Sequence, residues 1–469
     1  MKIKTRYCSF KRDKRNLIIF PEKPFWLVGD HSLELFVKFF SGEIDEDVLM
    51  NETISNYNYS LEEYQEILAN LESIFSAAKL DEESKDDTST KIDYNTYFPL
   101  PVINVTRRCN LSCKHCYADA GEKWKNEEMT TDQIKKVIHD IVYNYAKTTI
   151  DKRILLSGGE PFLRKDIYEI ISYIKNIGAT PLVNTNAILI EENYMDMLRE
   201  TGAELLVSLD GSTKETHEFI RGKSTFDKTI EKIKLLKQYD VITKLSMTMH
   251  SKSIKDLPGF FELSEKLNVD GIAINILNVL ERADKCGIKR ALLKDVNRII
   301  YECSKKSDKS FKYASVTDFA NLGAILLMNW KFVYCGVGAA SLVIDYNGDV
   351  YPCYNNMHKD MLLGNVLKDD MINIWNNSKK LKYLRSLNVN NFSEKCKNCA
   401  VKYYCGGGCR GETYYAYKTY DAPCPNCQDN YDGIIDLMFL LGEGDNELFE
   451  NRVHYYENMD IFKRFNKTF

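Results

Sequence analysis

No stretch of the 469-residue chain approaches about eighteen uninterrupted apolar residues, so no membrane-spanning helix is expected. The first residues, MKIKTRYCSFKRDKRN, are basic but lack the apolar core of a secretory signal, and a cytoplasmic location is expected. Positive charge is not in excess: 63 Lys+Arg face 67 Asp+Glu, a net charge of −4. That excludes a broadly basic nucleic-acid binder. No internal repeat at a period of about 20 to 50 residues is evident. Charged residues at 28% and aromatics at 12% exclude wholesale disorder. A chain of this length buries enough core to fold without disulfides. Its 14 cysteines therefore need another explanation.

The cysteines are clustered. Cys109, Cys113 and Cys116 stand together, and Cys335, Cys353, Cys396, Cys399, Cys405, Cys409, Cys424 and Cys427 crowd the last third. In a reducing compartment such groups read as metal ligands before disulfides. Cys8, Cys286 and Cys303 have no partners in sequence and read as small core residues.

The rest of the chain divides by pattern. Residues 1–80 open with short strands at Leu17–Phe20 and Phe25–Val28. A helix over His31–Phe40 follows, with Leu33, Phe36, Val37 and Phe40 at helical spacing and Gly42 as its stop. A second helical stretch lies within Ile54–Ile74, with Ser60 and Glu63 spaced as a capping box. This order suits a winged-helix module. The polar segment 81–96 reads as a linker. Over 97–305, six short apolar runs alternate with amphipathic segments such as Thr131–Tyr145 and Phe226–Gln238. The runs are Val102–Val105, Arg153–Leu156, Thr180–Val183, Glu204–Leu209, Thr243–Met249 and Gly271–Ile276. The class is α/β with a parallel sheet; pattern alone leaves a partial barrel and a doubly wound sheet both open. In either, a site forms at the C-terminal ends of the strands. After a connector at 306–330, residues 331–428 lose regular periodicity, and metal clusters would supply the missing constraint. Residues 429–469 read as a helical extension.

Residues 109–116 run C-N-L-S-C-K-H-C, directly after the first strand of the sheet. Three close thiolates with no local fourth suit a [4Fe–4S] cube that keeps one iron open. The alternative is a zinc site completed by His115. The spacing, with Tyr117 after it, resembles the signature of the radical S-adenosylmethionine (SAM) enzymes. The resemblance implies a partial (β/α)6 TIM-like barrel whose open iron binds the amino and carboxylate groups of SAM. One electron then cleaves the sulfonium, and the resulting 5′-deoxyadenosyl radical abstracts hydrogen. Further motifs fall at strand ends as the family requires. Gly158-Gly159-Glu160 matches its Gly-Gly-Glu turn, with Glu160 facing the cofactor's ammonium. Ser208 and Arg221 match its ribose and carboxylate contacts, and His115, Asn186 and Asp210 complete the cofactor-binding set. Ala187 departs from the usual Thr-Asn-Gly. Gly222-Lys223-Ser224 imitates a phosphate loop, but His217 stands where its first glycine belongs, which excludes nucleoside triphosphate binding.

The C-terminal spacing is Cys335-x12-Gly348-x4-Cys353, then Cys396-x2-Cys399-x5-Cys405-x3-Cys409-x17-Cys427. It resembles the cluster-rich SPASM extension, against zinc ribbons as the alternative. The resemblance implies Cys335, Cys353 and Cys409 on a first auxiliary [4Fe–4S] cluster. It puts Cys396, Cys399, Cys405 and Cys427 on a second. Ser341 stands where some relatives have an extra ligand, so the first cluster has room for an open iron. Cys424 is a spare that could replace Cys427 or fill that vacancy.

The 1–80 module resembles the winged-helix element that binds leader peptides of ribosomally made natural products. Taken whole, the chain resembles thioether-forming maturases of sactipeptides. That implies a precursor peptide, leader plus Cys-containing core, as partner and a flavodoxin- or ferredoxin-type reductant. Maturases making carbon–carbon or ether links, epimerases and anaerobic sulfatase-maturing enzymes are alternatives. The last carry an Asp after the cysteine matching Cys353, where this chain has Tyr354. A non-enzymatic iron–sulfur scaffold would leave Gly159, Ser208 and Arg221 unexplained. Three cubes carry about twelve irons per chain. Replacing Cys109, Cys113 and Cys116 by Ala is expected to remove about four of them by elemental analysis; zinc in place of iron would refute the assignment.

Overall fold

The computed structural model describes residues 1–83, 98–99, 101–121, 124, 127–145, 152–304, 314–315 and 331–442. The expected linker beyond residue 83, the expected connector apart from Ala314–Ser315, and the expected extension beyond residue 442 lie outside the described residues.

The chain opens with a three-stranded antiparallel sheet, β1 (Cys8–Arg12), β2 (Arg15–Phe20) and β3 (Phe25–Asp30), with β2 in the middle. Three helices follow, α1 (Leu33–Ser41), α2 (Glu46–Tyr57) and α3 (Leu61–Ala77). α1 ends at Gly42 in the left-handed region, where a residue without Cβ is unstrained. α3 begins with the Ser60–Glu63 capping box, both of its reciprocal bonds formed. The sequence reading missed β1, whose CSFKR carries no strong strand signal.

Side chains alternate across a strand, and both faces of β2 are buried. Ile18 and Phe20 face Leu33, Phe36, Phe40 and Phe75 in the module's own core. Leu17 and Ile19 belong to the large core of the main body. The N-terminal module is therefore no independent bead: one sheet face is sealed by its helices and the other by the rest of the protein.

The main sheet sets six parallel strands side by side in chain order. They are β4 (Val102–Thr106), β5 (Arg153–Gly158), β6 (Thr180–Thr185), β7 (Glu204–Ser208), β8 (Ile242–Met249) and β9 (Gly271–Ile276). Ala314–Ser315 extends the sheet beyond β9. On the far edge, Val343–Ile344 pairs in parallel with β4 and leads into two short antiparallel strands, Asp349–Tyr351 and Gly364–Asn365. This is a mixed α/β fold around a central parallel sheet, consistent with a partial barrel. β8 shows how one sequence serves two faces. Thr243, Leu245, Met247 and Met249 are buried, while Lys244, Ser246 and Thr248 are only half-buried. The segment expected as one helix over Thr131–Tyr145 is α-helical to His139, then widens into a π-helical turn over Asp140–Tyr145.

Truncating a fully buried Leu or Ile to Ala costs about 2–5 kcal/mol through lost burial and the cavity left behind. Leu17→Ala is therefore expected to destabilise the main body as Ile18→Ala destabilises the module. Both should lower the midpoint of guanidinium unfolding followed by the near-UV signal of the whole chain. A Leu17→Ala midpoint equal to that of the parent would show the shared core to be absent.

Candidate active site and iron–sulfur chambers

The first four strand ends of the parallel sheet bring the expected residues to the same rim. The loop after β4 carries the cysteine triplet, with Cys109 and Cys113 buried and Cys116 half-buried. Backbone N–H groups of Leu111 and Ala120 donate to the sulfurs of Cys109 and Cys116, each at 3.4 Å. Burial pushes the Cys109 thiol up to about 12 and raises Cys113 too, the latter opposed by Arg221 and Arg282. Such thiols ionise when a cation binds them.

The loop after β5 is fastened to this one. Gly159 N donates to Thr106 O at 2.7 Å and Glu160 N to Arg108 O at 2.9 Å. A methyl group on Gly159 would stand 2.0 Å from the Arg108 carbonyl oxygen, and one on Gly158 would stand 2.1 Å from that of Thr106. The two glycines thus serve the approach of one backbone to another, where the sequence suggested approach to a ligand. Glu160 is fully buried. It accepts from Asn186 N (2.8 Å), the Thr185 hydroxyl (2.7 Å) and Phe162 N (3.1 Å). Burial pushes its carboxyl up to about 6 against those donors. Asn186 reaches back to the Asn110 side chain within the triplet at 2.9 Å. Ala187 adopts φ 65°, the conformation that a glycine there would take without strain.

β7 ends at the half-buried Ser208, and Asp210 follows, fully buried. Arg221 Nε donates to Asp210 Oδ2 at 2.7 Å, and His115 Nε2 lies 3.3 Å from the same oxygen. Thr248 N donates to Oδ1 at 2.8 Å. Burial would raise the Asp210 carboxyl, but Arg221 and these neighbours hold it below the ordinary range. Arg221 Nη1 also reaches to 3.9 Å from Cys113 Sγ. His115 therefore faces Asp210, which argues against the zinc alternative. Burial pushes its pKa down to about 4, and its buried Nδ1 has no hydrogen-bond partner in the structure. An unpaired buried nitrogen, a guanidinium and three thiols on one rim fit a cluster with a zwitterionic ligand.

Two features escaped the sequence reading. Arg282, after β9, donates to Asp119 Oδ1 (2.7 Å), Cys113 O (3.1 Å) and Ala120 O (2.6 Å), clamping the triplet loop from about 170 residues away. The half-buried side of the strands also carries polar pairs, Asn184 Nδ2 to Ser157 Oγ at 3.4 Å and Asn275 Nδ2 to Ser246 Oγ at 3.0 Å. Polar residues at every second strand position were the available signal for this lining.

The C-terminal cysteines sort into two groups. Cys335 and Cys353 are electrostatic neighbours of Cys409, whose sulfur accepts from Asn355 Nδ2 at 3.4 Å. Ser341 lies beside Cys353, with its hydroxyl donated to Pro352 O at 3.0 Å. Cys396, Cys399, Cys405, Cys424 and Cys427 line a separate cavity of about 370 Å³. Cys424 thus stands in the second group, away from the vacancy of the first. Of the three isolated cysteines, Cys286 is exposed and no core residue, whereas Cys303 and Cys8 pack against the main core and Cys8 also lines the 370 Å³ cavity.

Residues 103–264 match the radical SAM superfamily, and residues 335–400 match SPASM, an iron–sulfur cluster-binding domain. An AdoMet-dependent heme synthase of Methanosarcina barkeri is 28% identical over 340 residues, 69% of this chain and 94% of that protein. The antilisterial bacteriocin subtilosin biosynthesis protein AlbA of Bacillus subtilis is 26% identical, covering 66% of this chain and 67% of its own. The crystal structure of Streptococcus suis SuiB bound to precursor peptide SuiA shares the fold, with a TM-score of 0.61 at 16% identity over 91% of this chain and 99% of SuiB.

Because the Gly159 position cannot hold a Cβ, Gly159→Ala is expected to displace the triplet loop at a cost of about 3 kcal/mol. The purified variant should lose about four irons and SAM cleavage together, while about eight auxiliary irons remain. Full iron with normal cleavage would show the two loops to be independent.

The radical SAM domain binds SAM and a [4Fe–4S] cluster and the SPASM domain binds auxiliary iron–sulfur clusters, so the chain joins a radical SAM domain to a SPASM cluster-binding domain.

Proposed function

We propose that this enzyme is a peptide maturase that installs sulfur-to-carbon thioether crosslinks in a ribosomally made precursor peptide. The observation that carries the reading is the N-terminal module. Its edge strand β3 presents half-buried Trp26, Leu27 and Val28, and no further strand pairs with it among the described residues. An open sheet edge is a template for an added strand, the mode by which a leader peptide would be held. SuiB, solved with its precursor peptide, resembles this chain over 91% of its length, so the likeness extends into that module.

The rim residues then take defined tasks. Cys109, Cys113 and Cys116 hold the first cluster, and Arg221 and His115 orient SAM beside it. Together these groups supply a carbon-centred radical that takes hydrogen from the substrate. Ser208 faces the ribose of SAM, and Asn184, Ser246 and Asn275 offer donors and acceptors to a peptide backbone in the barrel. Tyr117 and Tyr354, each next to a cluster cysteine and each exposed, bring their rings to 5.5 Å and flank the path between triplet and first auxiliary group. Tyr354 occupies the position where sulfatase-maturing enzymes carry a carboxylate base, which favours crosslinking over that chemistry.

A tetrapyrrole substrate is the second reading, favoured by the 28% identity with the heme synthase. That protein aligns over 94% of its own length on 69% of this chain, so nearly a third of this chain has no counterpart in it.

Reduced anaerobically with dithionite, the enzyme is expected to convert SAM to 5′-deoxyadenosine. With the cognate Cys-containing precursor, it should lower the peptide mass by two hydrogens per crosslink and block the cysteine to alkylation. Turnover of a tetrapyrrole, with the peptide unchanged, would replace this reading by the second. Leu27→Asp on the β3 edge should weaken leader binding at least about tenfold, roughly 1.4 kcal/mol, with SAM cleavage unaffected. Deleting residues 1–80 is the poorer test, because it strips Leu17 and Ile19 from the common core.

A further inference from the structure

The second auxiliary chamber has more thiols than a four-iron cube has corners. Five come from the C-terminal region and the sixth is Cys8 of β1. Its placement follows from strand geometry. Cys8, Phe10 and Arg12 share one face of β1, and that face lies along the last described helix, Cys427–Leu441. Arg12 bonds Asp436 at 2.7 Å and stacks over Phe439, and Phe10 meets Tyr431 with ring centroids 6.4 Å apart. Each step along that strand face advances about 6.8 Å. Between Tyr431 and Asp436 the helix advances about 7.5 Å, and between Cys427 and Tyr431 about 6 Å. The strand and the helix therefore climb in step, and the step that takes Phe10 to Tyr431 takes Cys8 to Cys427.

Two contacts from residues flanking β1 and β2 hold the module against the chamber wall. Lys402 Nζ bonds Glu22 at 2.7 Å, and Arg6 Nη1 donates to Asn398 O at 3.2 Å. Cys424 lines the chamber as well, its sulfur accepting from Asn430 Nδ2 at 3.4 Å and packing on the backbone at Gly408. Cys427 opens its helix, and Cys8 lines the same chamber from β1.

We propose that Cys8 and Cys427 share the fourth corner of the second auxiliary cluster, either thiolate completing the cube begun by Cys396, Cys399 and Cys405. The thiol that binds gives up its proton, and the other remains protonated beside it. The N-terminal module thereby becomes a donor to a cluster otherwise built from the other end of the chain. The inference does not depend on the substrate.

The test is redundancy. Cys427→Ala holoprotein, reconstituted anaerobically, is expected to keep about twelve irons, because Cys8 takes the corner, and the Cys8→Ala/Cys427→Ala pair to keep about eight. Dithionite-reduced EPR signals that do not shift on adding SAM report the auxiliary clusters, and one of them should vanish only in the pair. Loss of about four irons in folded Cys427→Ala alone overturns the proposal. Retention of the signal in the pair also overturns it and assigns the rescue to Cys424. Should Cys427→Ala fail to fold, the parent holoprotein decides. Under native iodoacetamide labelling, Cys8 should react at least about tenfold more slowly than Cys303, which is also half-buried but outside the chamber. Equal rates overturn the proposal.

Discussion

A buried thiol cannot ionise without a positive partner, and the C-terminal third of this protein is organised around that constraint. Burial raises the thiols of Cys353, Cys405, Cys409 and Cys424, the first and last to about 12. Helices there are short: Val389–Phe392, Glu394–Lys397 and Lys402–Cys405 span four residues each. Such pieces are too brief to hold themselves by propensity. Iron bound to the same cysteines would supply both the missing charge and the missing tertiary constraint, making cluster binding and folding one process. The apolar residues between them, Trp375, Tyr403 and Tyr404, are fully buried and complete the packing.

The radical site follows a different logic. Its geometry is set by the parallel sheet, which would exist without metal. Backbone bonds from Gly159 and Glu160 tie the β5 loop to the β4 loop, and Arg282 clamps the same loop from beyond β9. Fully buried Asp210, with half-buried Arg221 and His115 beside it, sits beneath. An ion pair taken fully out of water is favourable only when its remaining donors are used. Here Asp210 is satisfied by Arg221 and Thr248, while Arg221 keeps N–H groups directed at the triplet. The protein thus holds a cationic group ready at the rim without leaving it unpaired.

What the sequence disclosed was local. The triplet spacing, the six strand cores, the Ser60–Glu63 capping box and the Gly42 stop are all written within a few residues of one another, and each appears where expected. What it hid depends on residues far apart. Glycines 158 and 159 look like ligand-binding glycines because their true neighbours, Thr106 and Arg108, lie some fifty residues earlier. Arg282 has no motif around it. Cys8 looked inert because the helix it faces begins more than four hundred residues later. The module at 1–80 looked separable because hydrophobic alternation along β2 says that both faces are apolar but not which partner covers each.

That shared sheet changes how the enzyme's parts relate. In a chain of independent modules, a recognition element would tether its peptide and leave the redox centres untouched. Here β2 contributes Leu17 and Ile19 to the main core, β1 walls the second auxiliary chamber, and Lys402, almost fully buried, holds Glu22 of the same module. A large apolar interface of this kind suppresses relative domain motion. The open β3 edge, the auxiliary chamber and the barrel rim are therefore held at fixed separations. On the proposed function, a precursor peptide anchored at β3 would have to span that fixed distance to reach the radical site, so the length of chain between its leader contact and the modified residue would determine which residue is attacked.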